Sequence, residues 1–114
     1  MKSIFKIAFL FLGLVLMSNS AIAQSTAKVD AMAQTKELQE LSKFKSSKFK
    51  SVYEVYLKYD RKLESINRQI DASTMSYMQA IDKLEVFLVT EMDKHLTDEE
   101  FAIFLKKEDL TKPE

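Results

Sequence analysis

His95 is the only histidine in the chain, and there is no cysteine. Glu91, His95 and Glu99 stand four residues apart. On one uninterrupted helix that spacing puts two carboxylates and an imidazole on a common face, which could hold a divalent ion weakly. A helix break near Leu96 would scatter the three, and a histidine close to a helix C-terminus is already favoured by the helix dipole. No metal is assigned on this pattern. One histidine without a matching serine and aspartate does not make a triad. The only glycine, Gly13, lies near the N-terminus. Neither a phosphate-cradling loop nor a nucleophile elbow can therefore be built downstream. The acids of the C-terminal half fall at helical spacing and read as a solvated face. The expectation is a protein without catalysis or cofactor.

Two clusters carry more specific information. In Leu96-Thr97-Asp98-Glu99-Glu100-Phe101, the Thr97 hydroxyl can accept from the Glu100 amide. The Glu100 carboxylate can reach back to the Thr97 amide, completing a capping box. Leu96 before the cap and Phe101 at the fourth helical position form a hydrophobic staple. Asp98 and Glu99 sit at the positive end of the helix dipole. The spacing predicts a short helix over Asp98–Lys107. The second cluster interleaves aromatic and basic residues: Lys43, Phe44, Lys45, Lys48, Phe49 and Lys50. It reads either as a binding surface for apolar, anionic chain segments, or as two core phenylalanines with solvated lysines around them.

Long helices must position these groups. Phe49, Val52, Tyr56, Tyr59, Leu63, Ile66 and Ile70 alternate spacings of three and four, the register of helix–helix packing. A helix from Ser42 to Ile70 would span about 43 Å at 1.5 Å per residue. Asp71-Ala72-Ser73-Thr74 suits a reversal, because Asp, Ser and Thr compete for backbone hydrogen bonds and start helices. One continuous helix through this point is the alternative. A second stripe, Tyr77, Ile81, Leu84, Leu88, Met92 and His95, predicts a helix over Ser73–Lys94. Met75, Met78, Phe87 and Val89 flank it. Ala31–Leu41 reads as a short helix, Ser42–Ser47 as a joint, and residues 24–30 as a flexible N-terminus. The fold class is all-α: a long antiparallel helical hairpin with short helices at both ends, in a single helical domain over residues 31–110.

The N-terminus sets the compartment. Lys2 and Lys6 precede the apolar run Ile7–Met17, and Ala21-Ile22-Ala23 closes a small-residue stretch. That layout is a secretory signal peptide over residues 1–23, cleaved after Ala23. The run is shorter than the roughly 20 apolar residues a membrane span needs, so no stable membrane insertion is expected after cleavage. No cysteine follows it to carry a lipid. The predicted mature chain, Gln24–Glu114, is exported and soluble, and it is short for an unassisted core without disulfides. Tyr53, Val55, Phe87 and Val89 would lie on a second side of the hairpin. A two-fold homodimer is the common way to cover such a side.

The chain has a formal net charge of zero, unevenly spread. Lys43, Lys45, Lys48, Lys50, Lys58, Arg61, Lys62 and Arg68 outnumber Glu54, Asp60 and Glu64 in the middle, whereas residues 71–114 are acidic. Either the two segments neutralise each other side by side, or the middle presents a basic face. Nucleic acid is not an expected partner.

On Leu96-Thr97-Asp98-Glu99-Glu100, the weaker copy Leu41-Ser42-Lys43-Phe44-Lys45 and the stretch Lys50–Leu63, the chain resembles the Spy/CpxP-like periplasmic proteins. That family carries a Leu-Thr-x-x-Gln signature twice. Glu100 replaces the family's Gln, and either residue can close a capping box. The resemblance implies a small, cradle-shaped, often dimeric helical protein. Such proteins act as ATP-independent chaperones for unfolded or misfolded envelope proteins, or as regulators of envelope stress signalling. The alternative here is a helical adaptor or inhibitory regulator docking one envelope partner, such as a stress sensor kinase.

Overall fold

The computed structural model describes residues 20–111, which are all-α with no strand among them. The elements are α1 (Ser20–Ser42), a 3-10 turn (Ser46–Lys48), α2 (Phe49–Gln69), α3 (Met75–His95) and α4 (Asp98–Glu108). Most of the predicted signal peptide lies outside the described residues, and its expected cleavage point falls within the first turn of α1. Among the described residues, no helix is long and apolar enough to cross a membrane.

α1 begins well before Ala31, so residues 24–30 are helical where a flexible tail was expected. The cause is a stripe of small side chains. Ala27, Ala31 and Thr35, with Leu38 beyond them, are all 0 % exposed. Alanine and threonine carry little hydrophobic contrast, so this face is faint in the sequence, yet they let α1 lie close against α2. The buried Thr35 hydroxyl is satisfied by donating to the Ala31 carbonyl at 2.6 Å.

The joint is more sharply bent than a helix from Ser42 would allow. α1 ends at Ser42, and Lys43 takes the left-handed conformation (φ 59°) while its amide donates to the Gln39 carbonyl at 2.8 Å. A glycine usually fills such a position, and a side chain there costs about 1–2 kcal/mol. Asp109 (φ 56°) ends α4 in the same way. Its amide donates to Lys106, and the Leu110 amide donates back to Leu105 at 2.8 Å, a Schellman closure with Leu110 buried. A body without glycine thus uses Lys43 and Asp109 where it needs positive φ.

Asp71–Thr74 forms a turn between α2 and α3. Asp71 Oδ1 accepts from the Ser73 amide and hydroxyl, both at 2.9 Å, and Thr74 caps α3 by accepting from the Tyr77 amide at 3.2 Å. Across that turn the Tyr77 hydroxyl donates to Asn67 Oδ1 at 2.6 Å, and the Lys62 ammonium lies 4.7 Å from the Phe87 ring centre. α2 packs against both α1 and α3, and α4 touches α1 and α3. One core joins them, including Val52, Tyr56, Tyr59 and Leu63 of α2, Ile81, Leu88 and Met92 of α3, and Phe104 of α4. Val55 and Val89 belong to that core and are 5 % and 3 % exposed within a single chain. The second side therefore does not stand open at these two valines, and they no longer argue for a dimer.

Candidate functional site

The structure disperses the aromatic–basic cluster. Phe44 is 3 % exposed and part of the core, so it is corrected from a surface candidate to a packing residue. The left-handed turn at Lys43 swings it inward. Phe49 is half-buried and packs against the same core. Lys43, Lys45 and Lys50 remain exposed.

Lys48 has a specific partner instead. Its Nζ donates to Glu100 Oε1 at 2.7 Å, and the same oxygen accepts from the Thr97 amide at 2.9 Å. With the Glu100 amide donating to Thr97 Oγ1 at 3.2 Å, the capping box is complete. Leu96 and Phe101, the staple pair, are both buried. The joint and the motif, 52 residues apart, thus close on one carboxylate. Burial works against ionising Glu100, but the hydrogen bonds from Lys48 and from the Thr97 amide outweigh it and hold the carboxyl below its ordinary value.

The metal pattern is not assembled. α3 stops at His95 and Leu96 is extended, so Glu99 starts a different helix, while Glu91 pairs with Lys94 at 2.7 Å. Among the described residues, no group of three or more His, Asp or Glu is placed to hold a metal ion.

Two features escaped the sequence reading. The first is a shallow groove of about 470 Å³ along α1, lined by Lys28, Val29, Met32, Ala33 and Lys36 with Tyr53 of α2. Val29 is 66 % exposed and Met32 37 %. Spacings of three and four place these residues on the face opposite Ala27, Ala31 and Leu38, but only if the helix extends back past Asp30. The groove is apolar along its floor, and its two lysines stand free to meet negative charge.

The second is a set of carboxyl groups enclosed between helices. Asp60 is 0 % exposed and Glu64 is buried with it. Gln34 of α1, its amide nitrogen turned toward both, donates to Asp60 Oδ2 at 2.8 Å and to the Asp30 carbonyl at 3.2 Å. Burial pushes the Asp60 carboxyl up to about 9, helped by the negative charge of Asp30 and opposed by the Gln34 hydrogen bond. Burial likewise raises Asp30 and Glu64. Beside them the Tyr56 hydroxyl donates to Glu108 Oε2 at 2.8 Å, and Lys107 pairs with that same oxygen at 2.8 Å. Burial first, then Glu108, pushes the Tyr56 phenol well above its usual range. A helical wheel puts Asp60 in phase with Tyr56, Tyr59 and Leu63; only its residue type hid its position. Comparison with protein-family models, with curated proteins and with solved structures finds no match for this chain.

Proposed function

We propose that this chain is an exported helical binding protein that holds apolar, acid-flanked segments of unfolded or misfolded envelope proteins without using ATP. The observation that supports it is the α1 groove. Val29, Met32 and Ala33 offer an open apolar strip, and Tyr53 forms one wall. Lys28 and Lys36 stand two helical turns apart on the same face, where they can meet acids flanking a client's apolar residues. Methionine adapts its shape to varied side chains, which suits weak contacts with many partners. The resemblance of the capping motif and the signal layout to those of Spy/CpxP-like proteins supports the same reading. In this reading α2 and α3 form an antiparallel hairpin, α1 supplies the binding face, and no second copy is required.

An aggregation assay tests it. A reduced or heat-unfolded client is mixed with several-fold molar excess of the mature protein and followed by light scattering. Suppression by the wild type, weakened in Met32→Glu while helicity and unfolding midpoint stay unchanged, is the expected result. Unchanged aggregation with the wild type would sink the chaperone reading. In that case, one stoichiometric partner in a pull-down from envelope extract would favour the adaptor.

A further inference from the structure

We propose that the α1–α2 seam is a proton-controlled latch, in which α1 docks on α2 with Asp60 protonated and loosens when that proton is lost. The inference is independent of what the α1 groove binds.

Three observations carry it. Asp60 lies in the helix seam with no exposed surface, so ionising it in place would leave a charge away from water. The strongest charges acting on it, from Asp30 on α1, Glu108 on α4 and Glu64 on its own helix, are all negative. The donor that reaches it, Gln34, belongs to α1 and spans Asp60 Oδ2 and the Asp30 carbonyl. The group that favours the carboxylate is an amide that α1 itself brings, and an amide is a weak counterweight to a buried charge. Asp30 Oδ2 is enclosed without a hydrogen-bond partner among the described residues, so a second carboxyl in the same seam is also poorly solvated.

The surrounding charges reinforce this. Glu37 of α1 adds negative charge near Tyr56, and Glu85 of α3 adds it near Tyr59. Arg61 and Arg68 act on Glu64, and Lys107 is engaged by Glu108. When α1 lifts away, Asp60 meets water, its O–H bond breaks, and the proton passes to solvent. Asp60 then titrates near the ordinary aspartate value of 3.8 instead of about 9. Between those limits the closed form holds one more proton than the open form. The sign is therefore fixed: closure is strongest at low pH, and the opening constant rises about tenfold per pH unit for one proton.

Hydrogen exchange read by mass spectrometry on α1 peptides between pH 5 and pH 9, corrected for intrinsic rates, follows the opening constant directly. The expected result is a protection factor that falls about tenfold per pH unit in the wild type. In Asp60→Asn, which keeps the shape but cannot ionise, the fall should be far shallower. Flat protection in the wild type, or an unchanged slope in Asp60→Asn, overturns the latch. Should Asp60→Asn fail to fold, the wild-type carboxyl carbon of Asp60 is titrated by NMR. A midpoint above pH 7 sustains the proposal, and one at or below pH 7 overturns it.

Discussion

The oxygen shared by the capping box and Lys48 can be dissected by two substitutions at Glu100. Glu100→Ala removes the acceptor for the Thr97 amide at 2.9 Å and for Lys48 at 2.7 Å. Glu100→Gln keeps an oxygen for the cap but abolishes the charge that holds Lys48. A capping residue is worth about 1 kcal/mol. The ion pair is partly screened, with side-chain exposures of 28 % and 14 %, and adds roughly 0.5–1 kcal/mol. Glu100→Ala should therefore cost about 2 kcal/mol and Glu100→Gln less than about 1 kcal/mol. Thr97→Ala, which removes the other half of the box, should cost about 1 kcal/mol. In a domain of this size each kcal/mol lowers the midpoint by about 4–8 °C, so circular dichroism melts resolve all three variants. The pH dependence separates the ion pair from the cap. Because the folded carboxyl titrates below 4.5, its share is intact above that pH and is lost as pH falls through the folded value. Glu100→Gln should match the wild type at the acid end and fall behind near neutrality. Equal stability of Glu100→Ala and wild type at pH 7 would show that α4 does not depend on this junction.

Val55→Glu places a carboxylate at a position 5 % exposed. An unpaired buried charge costs about 3–5 kcal/mol, so urea unfolding should find the variant largely unfolded at any protein concentration. A folded, merely monomeric Val55→Glu would restore the interface that the sequence had suggested for this residue. Phe104→Ala should cost about 3–5 kcal/mol in the same assay. Its ring is fully buried, stacked on Phe101 at 6.0 Å and edge-on to Tyr56 at 6.4 Å. A loss under about 1 kcal/mol would mean that α4 contributes little to the core.

Legibility followed hydrophobic contrast. Val52, Tyr56, Tyr59 and Leu63, and the stripe from Tyr77 to Met92, announce their buried faces because large apolar residues recur against charged ones. Thr97, Glu100 and the turn at Asp71 were legible for another reason: local side-chain-to-backbone bonds need only neighbours in sequence. α1 was read short because Ala27, Ala31 and Thr35 pack by being small, and smallness has no strong periodic signature. The orientation of Phe44 turns on one positive φ at Lys43, a residue type that rarely takes that conformation, so no local pattern foretold it. The α1 groove went unseen with the helix that carries it. Lys48 looked like a free surface charge because its partner lies 52 residues away.

The two helices flanking the core are held to it by opposite kinds of chemistry. α4, at 11 residues, is too short to persist alone and is pinned at both ends. At its start Lys48 and the Thr97 amide converge on Glu100, and at its end Lys107 and the Tyr56 hydroxyl converge on Glu108. The Lys48 pair requires an ionised Glu100, whose carboxyl is held below its ordinary value, so that pair holds at neutral and alkaline pH and is lost in acid. α1 is longer but docks through small side chains, and its deep polar contact, Gln34 to Asp60, sits in a seam that disfavours ionisation. Rising pH therefore strains α1 while leaving the Lys48–Glu100 pair of α4 intact, and falling pH closes α1 while loosening that pair. Since the open groove lies on α1, the helix whose docking responds to alkali is also the one that carries the surface best suited to bind another chain.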